Sequence, residues 1–98
     1  MARFDVYALR DGGLAIDCQT NALAEISTRF VVPLLPPGDA PPANARLNPT
    51  FDIEGETLVM VTQFATAIRV AELRKKVASL SDQDVRIISA IDVLTGSG

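Results

Sequence analysis

Short apolar runs broken by turn-forming residues, with a helical period only in the last segment, constrain this chain more than any other feature. Phe4 to Leu9 and Leu14 to Cys18 are strand-length runs separated by Arg10-Asp11-Gly12-Gly13, and Asp-Gly between such runs is a strong hairpin signal. Leu14, Ile16 and Cys18 fall on one face of the return strand. Gln19 to Ser27 reads as a polar loop carrying Ala22, Leu23 and Ile26 without a period. Arg29 to Leu35 predicts a third strand, and Pro33 places its end at an edge or bulge, because proline cannot donate to a ladder. Phe51-Asp52-Ile53, a Glu54-Gly55 turn and Thr57 to Thr62 predict another hairpin, and Thr66 to Ala71 a further strand. Glu72 to Ser79 reads as a short helical turn. The final segment has a different period: Ile87, Ala90, Ile91 and Leu94 follow the i, i+3, i+4, i+7 rule. Ser81 is placed to cap that helix, with Asp84 as its capping-box partner and Leu80 stapled on Val85. Gly96 is placed to stop it. Five or six strands followed by one helix predict a mainly β fold: a small antiparallel barrel or curled sheet with the helix packed on it.

Between Pro36 and Pro49 the composition changes, with five of the chain's six prolines falling there. A loop of that length is often a binding element. The chain has 98 residues, 48% of them hydrophobic, which is more apolar material than one small domain easily hides. The excess predicts a partner surface, and a second copy of the chain is the simplest partner.

Residue chemistry narrows the function further. There is no histidine, which removes Ser-His-Asp and Cys-His sites and the usual zinc ligand sets. Cys18 is the single cysteine, so no disulfide or CxxC metal pattern is available, and its apolar setting predicts a core residue. Phe4, Phe30, Phe51 and Phe64 likewise read as core, whereas the Tyr7 hydroxyl needs a polar partner or solvent. Arg74-Lys75-Lys76 is the one basic run in a chain of net charge −3, which argues against independent DNA binding. Met1 to Asp5 lacks the apolar run of a signal peptide, and no segment is long enough to span a bilayer. The expectation is a cytoplasmic binding module of one domain, residues 1–98, with no catalytic residues, metal, cofactor or membrane partner.

Several segments, in order, resemble one family. Phe4-Asp5-Val6-Tyr7 resembles the opening strand of CcdB-type toxins, and Leu14-Ala15-Ile16-Asp17-Cys18-Gln19 and Arg29-Phe30-Val31-Val32-Pro33-Leu34 resemble the next two. Thr62-Gln63-Phe64-Ala65-Thr66 is similar to the family's Thr-Asp-Met-Ala-Ser segment. Val77-Ala78-Ser79-Leu80-Ser81 and Ala90-Ile91-Asp92 resemble the lead-in and body of its terminal helix. The resemblance implies an SH3-like antiparallel barrel of the CcdB/MazF/Kid type with a C-terminal α-helix, assembled as a homodimer. It implies a toxin of a type II toxin–antitoxin module that inhibits DNA gyrase by binding its A subunit. A CcdA-like antitoxin would neutralise it, and the pair would reach operator DNA only as a complex, repressing its own operon.

By position, the gyrase contact maps to Ala22 and Leu23 and to Asp92, Thr95, Gly96, Ser97 and Gly98. The family's terminal Asn-x-x-Phe-Trp-Gly-Ile pattern is kept at none of the last five. The antitoxin contact maps to Tyr7, Leu9 and Arg10 with Pro36, Pro37, Gly38, Pro41 and Pro42. The alternatives are a toxin with another contact or target, an inactive toxin that keeps its antitoxin, and a MazF/Kid-type endoribonuclease using Arg10, Arg29 or Arg69.

Overall fold

The computed structural model describes residues 2–42 and 44–96. Its strands are β1 (Asp5–Leu9), β2 (Leu14–Asp17), β3 (Thr28–Leu35), β4 (Thr50–Ile53), β5 (Glu56–Met60), β6 (Thr66–Arg69) and β7 (Leu73–Ser79), followed by helix α1 (Asp84–Thr95). They form one curled antiparallel sheet in the order β4-β5-β3-β2-β1-β7. Val31 pairs with both Asp17 and Thr66, and Leu34 with both Leu14 and Met60. β3 therefore gives its edge away from β2 partly to β5 and partly to β6. The result is a mainly β half-barrel with a terminal helix. No helix among the described residues is long and apolar enough to cross a membrane.

Both hairpins form as their turn residues require. Gly12 lies at φ +91°, and Glu54 and Gly55 both have positive φ, as a two-residue turn matching strand twist demands. The pleat then divides side chains between two faces. Val6, Ile16, Val32 and Leu34 meet on one face and bury Ile87 and Ala90 of α1 together with Phe51 and Met60. The opposite face carries a smaller cluster of Tyr7, Ala15, Val31 and Leu73.

The structure corrects four expectations. Glu72–Ser79 is not a helical turn: Leu73–Ser79 is a strand paired along β1, with register shifts between Val6 and Tyr7 and between Ala8 and Leu9. Lys and Arg favour helix locally, but β1 needs partners for its outer N–H and C=O groups, and tertiary pairing overrides local preference. Exposed Arg74, Lys75 and Lys76 then protect the new edge from further strands. The strand expected over Thr66 to Ala71 ends at Arg69, where a 3₁₀ turn, Val70–Glu72, begins.

The helix start also differs. Ser81–Gln83 is a 3₁₀ turn, α1 begins at Asp84, and no side chain caps it. Ser81 Oγ bonds to Ser79 Oγ instead, and Val85 is 72% exposed, so it forms no staple with buried Leu80. Gly96 ends α1 as expected, at φ +83° with its N–H donated to the Asp92 carbonyl. Finally, Phe4 and Phe51 are core, but Phe30 and Phe64 are not: they are 36% and 51% exposed.

Cys18 is buried as expected, and burial pushes its thiol from an ordinary 9.0 up to about 12. Between pH 9 and 12 the unfolded thiol loses its proton while the folded one keeps it, so stability falls as pH rises. The slope from this group is at most about 1.4 kcal/mol per unit. Burial also raises the Tyr7 phenol and adds to the fall. Cys18→Ala is expected to make that fall shallower in urea unfolding compared at pH 9 and pH 11; an unchanged slope would count against a buried thiol.

Candidate functional site

A buried ion pair organises one side of the molecule. Asp17 and Arg29 are 0% and 1% exposed, and Arg29 Nε donates to Asp17 Oδ2 at 2.9 Å. Nη2 lies 2.7 Å from the same oxygen but off the hydrogen-bond direction, so its contribution is attraction between charges. The other carboxylate oxygen, Asp17 Oδ1, accepts the Gln19 amide at 3.1 Å. Gln19 then spans two segments: Nε2 donates to the Leu23 carbonyl at 3.0 Å, and Oε1 accepts the Phe30 amide at 3.0 Å. The Asn21–Leu23 turn is held from its other end by Arg3, whose backbone N–H donates to Asn21 Oδ1 at 2.9 Å. Beside this network Asp5 meets Lys76 at 3.5 Å, and its charge adds to burial in raising the Tyr7 phenol.

Large apolar side chains are left exposed among the described residues. Leu23 is 50% exposed, Ile26 46%, Phe30 36%, Phe64 51% and Leu94 43%. Gln19 ties Leu23 to Phe30. Phe30 alternates with Val31 and so shares the sheet face of Val32 and Leu34, but is 36% exposed where they are buried. The 3₁₀ turn Thr62–Phe64 packs on both β3 and α1, so Phe64 stands between the strand that carries Phe30 and the helix that carries Leu94. Large apolar side chains left exposed on a chain this small offer area for an interaction.

The residues expected at a gyrase contact sit on two separate elements. Ala22 and Leu23 occupy the Asn21–Leu23 turn, and Asp92, Thr95 and Gly96 form the last turn and stop of α1. Ser97 and Gly98 lie outside the described residues. Reading by residue type missed Phe30 and Phe64, because an apolar residue reads as core until the elements covering it are known, and missed Ile26, because a loop without a period gives it no face.

The residues expected at an antitoxin contact divide. Leu9 and Arg10 line a groove with Asp11, Ile68 and Glu72, bridged by an Arg10–Glu72 ion pair at 3.3 Å. Tyr7 lies in the buried cluster against which Leu9 and Ile68 pack, so it supports the groove and does not line it. Pro36, Pro37, Gly38 and Pro42 are exposed and Pro41 half-buried, and the Pro37–Asp39 turn packs on β5. The two parts of the expected surface thus belong to different strands.

The ribonuclease alternative loses one of its arginines here. Arg29 is enclosed and committed to Asp17, out of reach of any RNA phosphate. Arg10 is paired with Glu72, and only Arg69 is left on an exposed strand end.

Comparison with known proteins agrees with the geometry. A search of curated proteins returns no match. A family model described as CcdB protein matches residues 3–96, nearly the whole chain. The chain belongs to the CcdB family, and that membership supports a toxin of a toxin–antitoxin system.

Proposed function

We propose that this chain is a cytoplasmic, non-enzymatic toxin that acts as a homodimer by binding the A subunit of DNA gyrase, and that a CcdA-like antitoxin neutralises it. The observation that carries the reading is the exposure of large apolar side chains at Leu23, Ile26, Phe30, Phe64 and Leu94, with Leu23 and Phe30 tied together by the Asp17–Arg29–Gln19 network. Apolar side chains held on a rigid frame lose little entropy when covered, which favours binding. The family's terminal aromatic is absent, so the gyrase grip is assigned to Leu23 and Ala22, with the end of α1 at Asp92, Thr95 and Gly96 alongside. Phe30 and Phe64 are assigned to the contact between copies.

The antitoxin is assigned to the Leu9–Arg10 groove and to the proline-rich loop. Such a partner folds as it binds, laying apolar residues into grooves and along exposed loops. Operator binding and repression follow only in complex with it, in keeping with an acidic chain.

Growth provides the test. Inducing the chain in a bacterial host is expected to arrest growth, and co-expressed antitoxin to restore it. Deleting Gly38 to Ala43 is expected to keep the arrest and weaken the rescue. The fold should survive, because the loop's later part is anchored separately: Asn48 Nδ2 donates to the Met60 carbonyl at 3.1 Å and Thr62 Oγ1 to the Leu47 carbonyl at 2.5 Å. Undisturbed growth on induction would contradict the toxin reading, and full rescue of the deletion would remove the loop from the antitoxin contact.

A further inference from the structure

The outer side of α1 carries a groove that none of the surfaces above uses. One wall is a stripe of Val85, Ser89 and Val93, four residues apart and so stacked along the helix. The other is Arg46 and Pro49, where the proline-rich segment returns to the sheet, and Arg86 stands at the rim of a hollow of about 250 Å³. This stripe is separate from the one facing the core, where Ile87 and Ala90 are fully buried. Val85 is the most exposed large hydrophobic side chain among the described residues, at 72%.

The two arginines give the apolar hollow a sign. Arg86 is held in place: Nη2 donates to the Thr50 carbonyl at 2.9 Å, Nη1 to Gln83 Oε1 at 3.3 Å, and the guanidinium lies 4.6 Å from the Phe51 ring centre. A guanidinium fixed this way has less freedom left to lose when an anion arrives. The chain as a whole is acidic, at −3, so paired cations over an apolar hollow are a local feature.

We propose that this groove binds an acidic amphipathic peptide segment of a partner protein, with an apolar side chain over Val85 and Val93 and carboxylates at Arg46 and Arg86. A second copy of the chain is a poorer occupant, since the hollow admits one or two side chains and offers no flat self-complementary face. A nucleic-acid backbone is poorer still. Asp82 and Asp84 stand at the start of the same helix and would meet a continuous line of phosphates, whereas a peptide can place its few carboxylates away from them.

The inference does not depend on the toxin reading, and its test uses the full chain with synthetic peptides. A short peptide of aspartate, glutamate and leucine is titrated while backbone amide shifts are followed by NMR, with a lysine–leucine peptide of equal length as control. The acidic peptide is expected to move amides in 45–49 and 85–93 and the basic one to leave them unmoved. Arg46→Glu and Val85→Asp alter exposed side chains and are expected to keep the unfolding midpoint while weakening the acidic peptide about tenfold each. Equal binding of both peptides, shifts confined to the Arg10–Ile68 groove, or no shifts at millimolar acidic peptide would overturn the proposal.

Discussion

Arg29→Ala is expected to cost about 3–5 kcal/mol of folding stability, the range found when one partner of a buried ion pair is removed. The loss comes chiefly from the partner left behind. Asp17 is fully buried, and without the guanidinium its carboxylate keeps only the Gln19 amide as a donor. Urea unfolding measures the loss, and a cost under about 1 kcal/mol would contradict an enclosed pair. Asp17→Leu combined with Arg29→Met is expected to recover most of the stability, because apolar residues of similar volume often replace such pairs without loss. The double variant separates folding from function. It removes the carboxylate that orients Gln19, so the Leu23 turn loosens even where stability returns, and any defect in partner binding that persists belongs to positioning.

Phe64→Asp is expected to convert the proposed homodimer to a monomer at micromolar concentration, weakening self-association about a hundredfold or more. A carboxylate at a contact centre loses the apolar burial and must itself be desolvated. Phe64 is half exposed in the single chain, so the substitution spares the core formed by Ile16, Val32, Met60 and Ile87. Sedimentation velocity distinguishes the outcomes. A wild-type monomer at micromolar concentration, or a Phe64→Asp variant that remains a dimer with unchanged affinity, would take the apolar surface out of the assembly.

The parts of the fold that were legible in the sequence are those set by local chemistry. Asp11-Gly12 and Glu54-Gly55 mark turns in which Gly12, Glu54 and Gly55 take positive φ, and so announce their hairpins, and Ile87, Ala90 and Gly96 announce the helix and its end. What was not legible depends on residues far apart in the chain. β7 exists because β1 needs a partner, and nothing in Leu73-Arg74-Lys75-Lys76 shows that need. Val85 has the spacing of a staple, but a 3₁₀ turn rotates the helix start and turns it outward. The ordered segments did identify the family, whose model covers residues 3–96. They did not reveal the site, because Asp17, Gln19 and Arg29 become a frame only when β2 and β3 pair, and whether Phe30 and Phe64 are covered depends on elements far from them in the chain.

Supercoiling by purified gyrase, scored for inhibition and for linear cleaved DNA with and without this protein, tests the functional reading most directly. Cleaved DNA is expected to accumulate despite the absence of a terminal aromatic, and Leu23→Asp to abolish it. Full supercoiling activity with no cleaved DNA at saturating protein would contradict gyrase as the target of this surface.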